Sequence, residues 1–383
     1  MAGPGRRRAA LVLLAFAFAA GGGAWGAWWH LVGRNFETTD NAYVAGNLVQ
    51  VTPQVAGTVV SIAADDTDRV KAGQALVRLD PADAQVALEQ AEAQLAQAVR
   101  ESRTLYANNS TLEAGIAVRQ SELTRAEEDY ARRVLLAAKG MISKETLGNA
   151  AASVATAQAA LAEAREKLAS NRALTDRTTV EGHPNVQRAA GRVREAYLAL
   201  KRVEIMAPVG GYVAKRSVQV GQRVAPGAPL MAIVPLEQLW VDANFKEVQL
   251  RNMRIGQPVR LIADMYGDRV EFRGRVAGLA AGTGGAFALL PPQNATGNWI
   301  KVVQRLPVRI ALDAKQLEEH PLRIGLSMRA EVEVRDTTGA QLAAAPRTGT
   351  AYSVAVSGTY PGEANARVRA IIAANVGAAP RGN

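Results

Sequence analysis

Apolar and small residues recur at spacings of three and four from Leu88 through Ala91, Leu95, Ala98, Ser102 and Leu105 to Leu112, Ile116, Leu123, Ala126 and Tyr130. That period is the seam of a coiled-coil helix. After a turn signal at Lys139-Gly140-Met141, a second seam runs Leu147, Ala150, Val154, Ala157, Leu161, Ala164 and Leu168. Its phase is lost across Thr175 to Asn185, where Gly182-His183-Pro184 breaks or kinks a helix, and it resumes at Val193, Ala196, Leu200 and Val203. The two arms are nearly equal, 58 residues from Pro81 to Ala138 and 61 from Ser143 to Val203. At ~1.5 Å per residue each arm spans roughly 87 Å. The pattern therefore predicts a long antiparallel α-helical hairpin over 81–203 with its tip near Gly140, opened by Asp80 as N-cap and Pro81 at the first helical position. Small residues along the seam let the helices approach closely while burying less apolar area per turn.

The hairpin sits between two copies of one β-pattern. Val55, Gly57, Val59, Val70, Gly73, Leu76 and Leu79 recur as Val209, Gly211, Val213, Val224, Gly227, Leu230 and Ile233, each 154 positions later (211 − 57, 227 − 73). Alternating branched residues in each copy mark half-buried strands. Gly57, Gly73, Gly211 and Gly227 fall where a tight turn or a close backbone approach is needed. One small β-domain, with halves at 48–80 and 204–235, is thus expected to be split by the helical insertion.

The flanks complete the plan. Residues 9–32 hold no Asp, Glu, Lys or Arg. Twenty-four residues cover about 36 Å as a helix, enough to cross ~30 Å of hydrocarbon. Arg6, Arg7 and Arg8 place residues 1–8 in the cytoplasm, and Trp25, Trp28 and Trp29 suit the far interface. Ala15-Phe16-Ala17 and Ala17-Phe18-Ala19 also match a signal cleavage site, so cleavage competes with a retained anchor; the apolar run continues past both sites, which favours the anchor. Residues 33–47 are expected as a lead-in strand, with Thr39 to Val51 extended. Beyond Pro235, strand patterns at Leu239 to Asn244, Val259 to Ala263, Val270 to Val276, Ile300 to Leu312 and Met328 to Val334 predict a small antiparallel β-barrel over 236–336. One short amphipathic helix is expected at Lys246 to Met253. The Ala-, Gly- and Thr-rich residues 337–383 are expected as a flexible tail with a short helix at Ala364 to Ala374.

Composition narrows the chemistry. A length of 383 residues allows two or three domains, and 48% hydrophobic content argues against disorder. The net charge of +10 is dispersed: three units from Arg6 to Arg8, −2 over 34–80, +2 over 81–202, +4 over 203–336 and +3 in the tail. No folded segment carries a nucleic-acid-binding patch. With no cysteine there are no disulfides, thiolate metal sites or Cys nucleophiles. His30, His183 and His320 lie at the membrane edge, in the hairpin break and before Pro321, none in a metal-ligand spacing, and each is expected as a surface or loop histidine. Gly282-Thr283-Gly284-Gly285 lacks the Lys-Ser/Thr and following helix of a phosphate loop, and reads as a barrel loop. Glu127, Glu128 and Asp129 share a helix with Arg132 and Arg133, which reads as i,i+4 pairing. No catalytic residue, metal site or cofactor is expected, and the chain is expected not to be an enzyme.

With anchor, split β-domain, hairpin and barrel in place, the chain resembles the membrane fusion proteins, or periplasmic adaptors, of Gram-negative export systems, in the EmrA-like branch of the HlyD family. The resemblance covers about 36–335 and is carried by TTDNAYV (38–44), AGTVVSI (56–62), APVGGYV (207–213), PLMAIVP (229–235), WVDANFKE (240–247), MRIGQPV (253–259), LLPPQNATGNWIKVVQRLPVRI (289–310) and PLRIGLS (321–327). It implies a lipoyl-like identity for the split β-domain. It also implies a multidrug efflux adaptor in the inner membrane, with most of the chain in the periplasm, joining a major facilitator (EmrB-like) transporter to a TolC-like outer-membrane channel as a trimer or hexamer ring. Channel-docking relatives carry Arg, then Leu four later, then Ser seven later, around the tip; Arg132, Leu136 and Ser143 match and straddle Gly140. The plainer reading makes Arg132 a solvated charge, Leu136 seam and Ser143 an N-cap. Lipoyl domains carry a cofactor lysine at a turn between their halves; here the hairpin replaces that turn, leaving no carrier site. An adaptor for an ABC-type protein or peptide secretion pump and a non-transport structural coiled coil are the alternatives.

Overall fold

A computed structural model describes residues 4–31, 33–284, 286–287, 303–343, 345–354 and 360–377, with side chains of the first helix described from Leu13 onward. In chain order, α1 (Pro4–Leu31) leads through a short turn into β1 (Phe36–Ala45), followed by β2 (Val49–Val51), β3 (Gly57–Ile62), β4 (Arg69–Val70) and β5 (Ala75–Leu79). The helices α2 (Ala82–Ala138), α3 (Lys144–Thr175) and α4 (Pro184–Lys201) come next. Then come β6 (Glu204–Met206), β7 (Gly211–Arg216), β8 (Arg223–Val224), β9 (Met231–Val234), β10 (Trp240–Lys246), β11 (Pro258–Ala263), β12 (Glu271–Leu279), β13 (Arg305–Leu312), α5 (Ala314–Glu319), β14 (Ser327–Glu333) and α6 (Tyr360–Val376). Among the described residues no helix is long and apolar enough to cross a membrane, and the expected span 9–32 begins and ends outside the residues whose side chains are described.

The two β-copies fold together as a pseudo-twofold pair. They form two four-stranded sheets, β2-β9-β7-β4 and β6-β5-β3-β8, each drawing strands from both halves. The register carries the symmetry: Gly57 pairs with Val224 while Val70 pairs with Gly211, and Val59 pairs with Leu79 while Val213 pairs with Ile233. Adding 154 to each first-half residue gives its second-half counterpart: Gly57 becomes Gly211, Val70 Val224, Val59 Val213 and Leu79 Ile233. Leu76, Leu79, Leu230 and Ile233 fill the shared core. Neither half can close that core alone, so the two chain segments, offset by 154 positions, are held together by apolar burial across the interlaced sheets.

The barrel closes in the order β1-β10-β13-β12-β11-β14. Its first wall corrects the expectation of a lead-in strand: β1 pairs with both β10 and β14, so the extended residues after α1 belong to the barrel and only afterwards does the chain cross to the split β-domain. The reason is pairing at long range, with Ala42 facing Ala243 and Phe36 facing Glu333. A bulge between Thr39 and Ala42 is stitched by Thr39 Oγ1 donating to the Asn244 carbonyl (2.9 Å) and Asn244 Nδ2 donating to the Asn41 carbonyl (3.2 Å). Val241, Ala243 and Phe245 alternate inward to meet Leu261, Phe272 and Ile310. The expected helix at Lys246 to Met253 is instead strand to Lys246 and a 3-10 turn over Glu247–Leu250, because the Gln249 side chain accepts from the Lys246 N–H (3.0 Å) and closes a local turn. Residues 288–302, which hold most of the 289–310 block and the start of the strand expected from Ile300, and also Gly285, lie outside the described residues.

The hairpin is one continuous helix, α2, against a return strand of two, α3 and α4. The interruption falls where the apolar phase is lost. His183 caps α4, its Nδ1 accepting from Asn185 N (3.3 Å), with Pro184 at the first helical position. His183 is buried, against the expectation of a surface or loop histidine, because capping draws its ring under the helix start. The tail departs most from expectation: α6 is longer than the helix read at 364–374 and packs its Ala364, Val368 and Ile372 into one core with Leu95, Val99 and Val193. The four-residue spacing of those three supplies the apolar stripe that fixes it.

Candidate functional site at the hairpin tip

The tip is built by a helix stop and a helix start. Gly140 takes φ +70. Its N–H bonds to the Ala137 carbonyl (2.9 Å) and the Met141 N–H to the Leu136 carbonyl (3.0 Å), the paired bonds of a Schellman cap. Only glycine adopts that left-handed backbone without cost, which is why the turn signal sits there. The return begins at Ser143, whose Oγ accepts from Thr146 N (3.1 Å). Eight residues after Leu136, at Lys144, the chain is helical again.

Arg132 and Leu136 lie one turn apart on one face of α2. Arg132 reaches back to Asp129 (3.3 Å), and Arg133 does the same at 2.9 Å, so Asp129 of the acidic cluster serves as intrahelical pairing of exposed charges. Leu136 is 40% exposed at the very end of the seam. The Ser143 hydroxyl is engaged in its cap and lies 2.8 Å from Thr146 Oγ1. The tip thus presents an apolar cap with cationic flanks. Sequence spacing alone missed its most exposed members: Leu135 and Met141 are each 67% exposed. Their signal was present as three consecutive apolar residues, Val134 to Leu136, where a seam needs one.

Below the tip the two helices are locked by a polar collar. Asn171 Nδ2 donates to the Leu105 carbonyl (3.0 Å) and to Asn109 Oδ1 (2.7 Å), Asn109 Nδ2 donates to Thr175 Oγ1 (2.9 Å), and Tyr106 donates to the Thr175 carbonyl (3.2 Å). Asn171 and Thr175 are buried, and a buried polar pair across two helices fixes their register. Elsewhere the chemistry is sparse. Among the described residues no cluster of His, Asp and Glu is placed to hold a metal ion. His320 packs edge-on against Tyr266 and Phe272. At the split β-domain, Gly73 and Gly227 take φ +77 and +81 in equivalent turns, while a side chain at Gly211 would collide with the Val234 carbonyl oxygen.

Residues 82–203 match the family model described as EMRA, alpha-helical hairpin domain. The multidrug export protein EmrA of Escherichia coli (strain K12) is 52% identical over 318 residues, 83% of this chain and 82% of that protein. The chain belongs to the EmrA family. A second relative, the fatty acid resistance protein FarA of Neisseria gonorrhoeae, is 51% identical over 309 residues, covering 80% of this chain and 78% of its own. A solved structure of the periplasmic adaptor protein EmrA aligns over 78% of this chain and 98% of its own at 19% identity, with a TM-score of 0.40. The family model's limits coincide with the EmrA hairpin described above, from the start of α2 to just past α4.

Proposed function

We propose that this chain is the periplasmic adaptor of a tripartite multidrug efflux system, anchored to the inner membrane by residues 9–32 and carrying no catalysis of its own. Its partners would be an inner-membrane major facilitator transporter of EmrB type and a TolC-like outer-membrane channel, with several copies of the chain arranged as a trimer or hexamer ring. The observation that carries the reading is the hairpin: a 57-residue helix projects away from the split β-domain and ends in an exposed apolar cap. A rod of that length, roughly 85 Å at ~1.5 Å per residue, suits spanning between two envelope layers. Arg132, Leu136, Gly140 and Ser143 shape the docking end: Leu136 with Leu135 and Met141 offers area that would be desolvated on the channel, Gly140 sets the turn, Arg132 flanks it with charge, and Ser143 holds the return helix in register. The energy for transport would come from the partner transporter, and this chain would contribute geometry.

Deletion of the gene, followed by a toxicity panel, tests the role. The expected result is hypersensitivity to hydrophobic, weakly acidic compounds, restored by the parent chain and not by Leu136→Asp, which replaces an exposed side chain and leaves the fold intact. Sensitivity equal to the parent strain across the panel overturns the efflux assignment.

A further inference from the structure

The return arm is broken at 176–183, and this leaves α4 as an 18-residue helix cut off from α3. A helix of that length is marginal by itself and takes its stability from packing. One face of α4 meets α2; α6 fills the groove on the other side. Along α6, Ala364, Val368 and Ile372 join the core that contains Leu95 of α2 and Ala190 of α4. Polar links tie both of its flanks. Tyr197 donates to Glu363 Oε2 (2.6 Å), Lys201 pairs with the same carboxylate (3.3 Å) and Arg194 Nε donates to Asn365 Oδ1 (2.7 Å), all from α4. From α2, Glu92 pairs with Arg367, and Arg100 Nη1 donates to Asn375 Oδ1 (2.8 Å). The order of these links runs α6 parallel to α2 and antiparallel to α4. Its last residue, Val376, packs in the same cluster as Val180 within the break, so α6 ends where α4 begins.

We propose that α6 is an intramolecular clamp: it holds α4 against α2, so that the base of the shaft and the C-terminal segment form one cooperative three-helix unit, distinct from the two-helix shaft of α2 and α3 beyond the polar collar. This makes the last helix of the chain part of the hairpin, although the strands between them belong to other bodies. The clamp stands whether or not the chain serves efflux.

Hydrogen exchange on the full-length chain tests it. In the parent, residues 186–200 and 364–376 should exchange at matched rates. In a full-length Val368→Asp, Ile372→Asp variant, exchange should rise at least tenfold in 364–376 and in 186–200, and stay within twofold in 147–170. Unchanged protection of 186–200 while 364–376 exchanges freely overturns the clamp, as does equal loss of protection along α3. Should that variant fail to fold, the charge swap decides: Arg367→Glu alone should raise exchange in 364–376, and Glu92→Arg combined with it should restore the parent rate. No restoration in the double variant overturns the paired register.

Discussion

Two glycines at equivalent places in the β-copies do unequal work. A Cβ at Gly57 would meet the Leu79 side chain at 3.1 Å, a tight contact relieved by a few tenths of an ångström, whereas at Gly211 it would strike the backbone oxygen of Val234. Gly211→Ala should therefore destabilise the chain by about 1–3 kcal/mol and Gly57→Ala by less, as measured by denaturant unfolding. A second asymmetry is electrostatic. Asp65 N–H bonds to Asp68 Oδ2 in the first copy, and Gln219 N–H bonds to Gln222 Oε1 in the second, the same turn 154 positions on with amides for carboxylates. The charge kept at Asp65 binds Arg216 of the other copy at 2.7 Å. The Arg216 hydrogen bond, with that from Asp66 N–H, holds the Asp65 carboxyl below its usual range. A lowered folded-state pKa contributes stability above the ordinary carboxylate range, and that contribution fades as pH falls through the folded-state value. The Tm gap between the parent and Asp65→Asn should thus be present at pH 7 and close in acid. Because Asp65 is solvent-exposed, the gap should be small and should shrink with added salt.

At the scale of elements, the hairpin was legible because its seam is local: three- and four-residue spacings mark α2 and α3, and Gly140 and Pro184 punctuate them. The collar was not. Ser102 and Leu105 lie on the seam, but the Asn171 to Asn109 bond joins residues 62 positions apart and leaves no periodic trace. Asn171→Ala should remove the amide that donates to Asn109 Oδ1 and to the Leu105 carbonyl, costing roughly 1–3 kcal/mol, and should speed hydrogen exchange at 105–109 and 171–175 without altering the β-domains. Equal exchange in parent and variant would show that the collar does not set the register. The place of β1 in the barrel and the packing of α6 escaped sequence reading for a related reason. Thr39, Ala42 and Val44 are buried only because β10 arrives from about two hundred positions later and β14 from nearly three hundred. Ala364, Val368 and Ile372 sit in an Ala- and Gly-rich tail whose composition speaks for looseness, and only the groove between α2 and α4 makes their spacing count. The tip was half legible: spacing picked out Arg132, Leu136 and Ser143, but exposure places more apolar area at Leu135 and Met141.

For the whole molecule, two insertions are nested. The barrel is split by everything between β1 and β10, and the β-domain within it is split by the hairpin between β5 and β6. This places the chain's first helix next to the barrel and the hairpin tip at the far end of a long rod, the geometry the proposed adaptor role requires. The central claim is that the apolar cap at that tip meets an outer-membrane channel. The chain has no cysteine, so Met141→Cys gives a single attachment point for a photo-crosslinker in whole cells. The account predicts one covalent adduct with an outer-membrane channel protein, reduced at least tenfold when Leu136→Asp is added. A chain that restores drug resistance while forming no such adduct, or an adduct unchanged by Leu136→Asp, would contradict it.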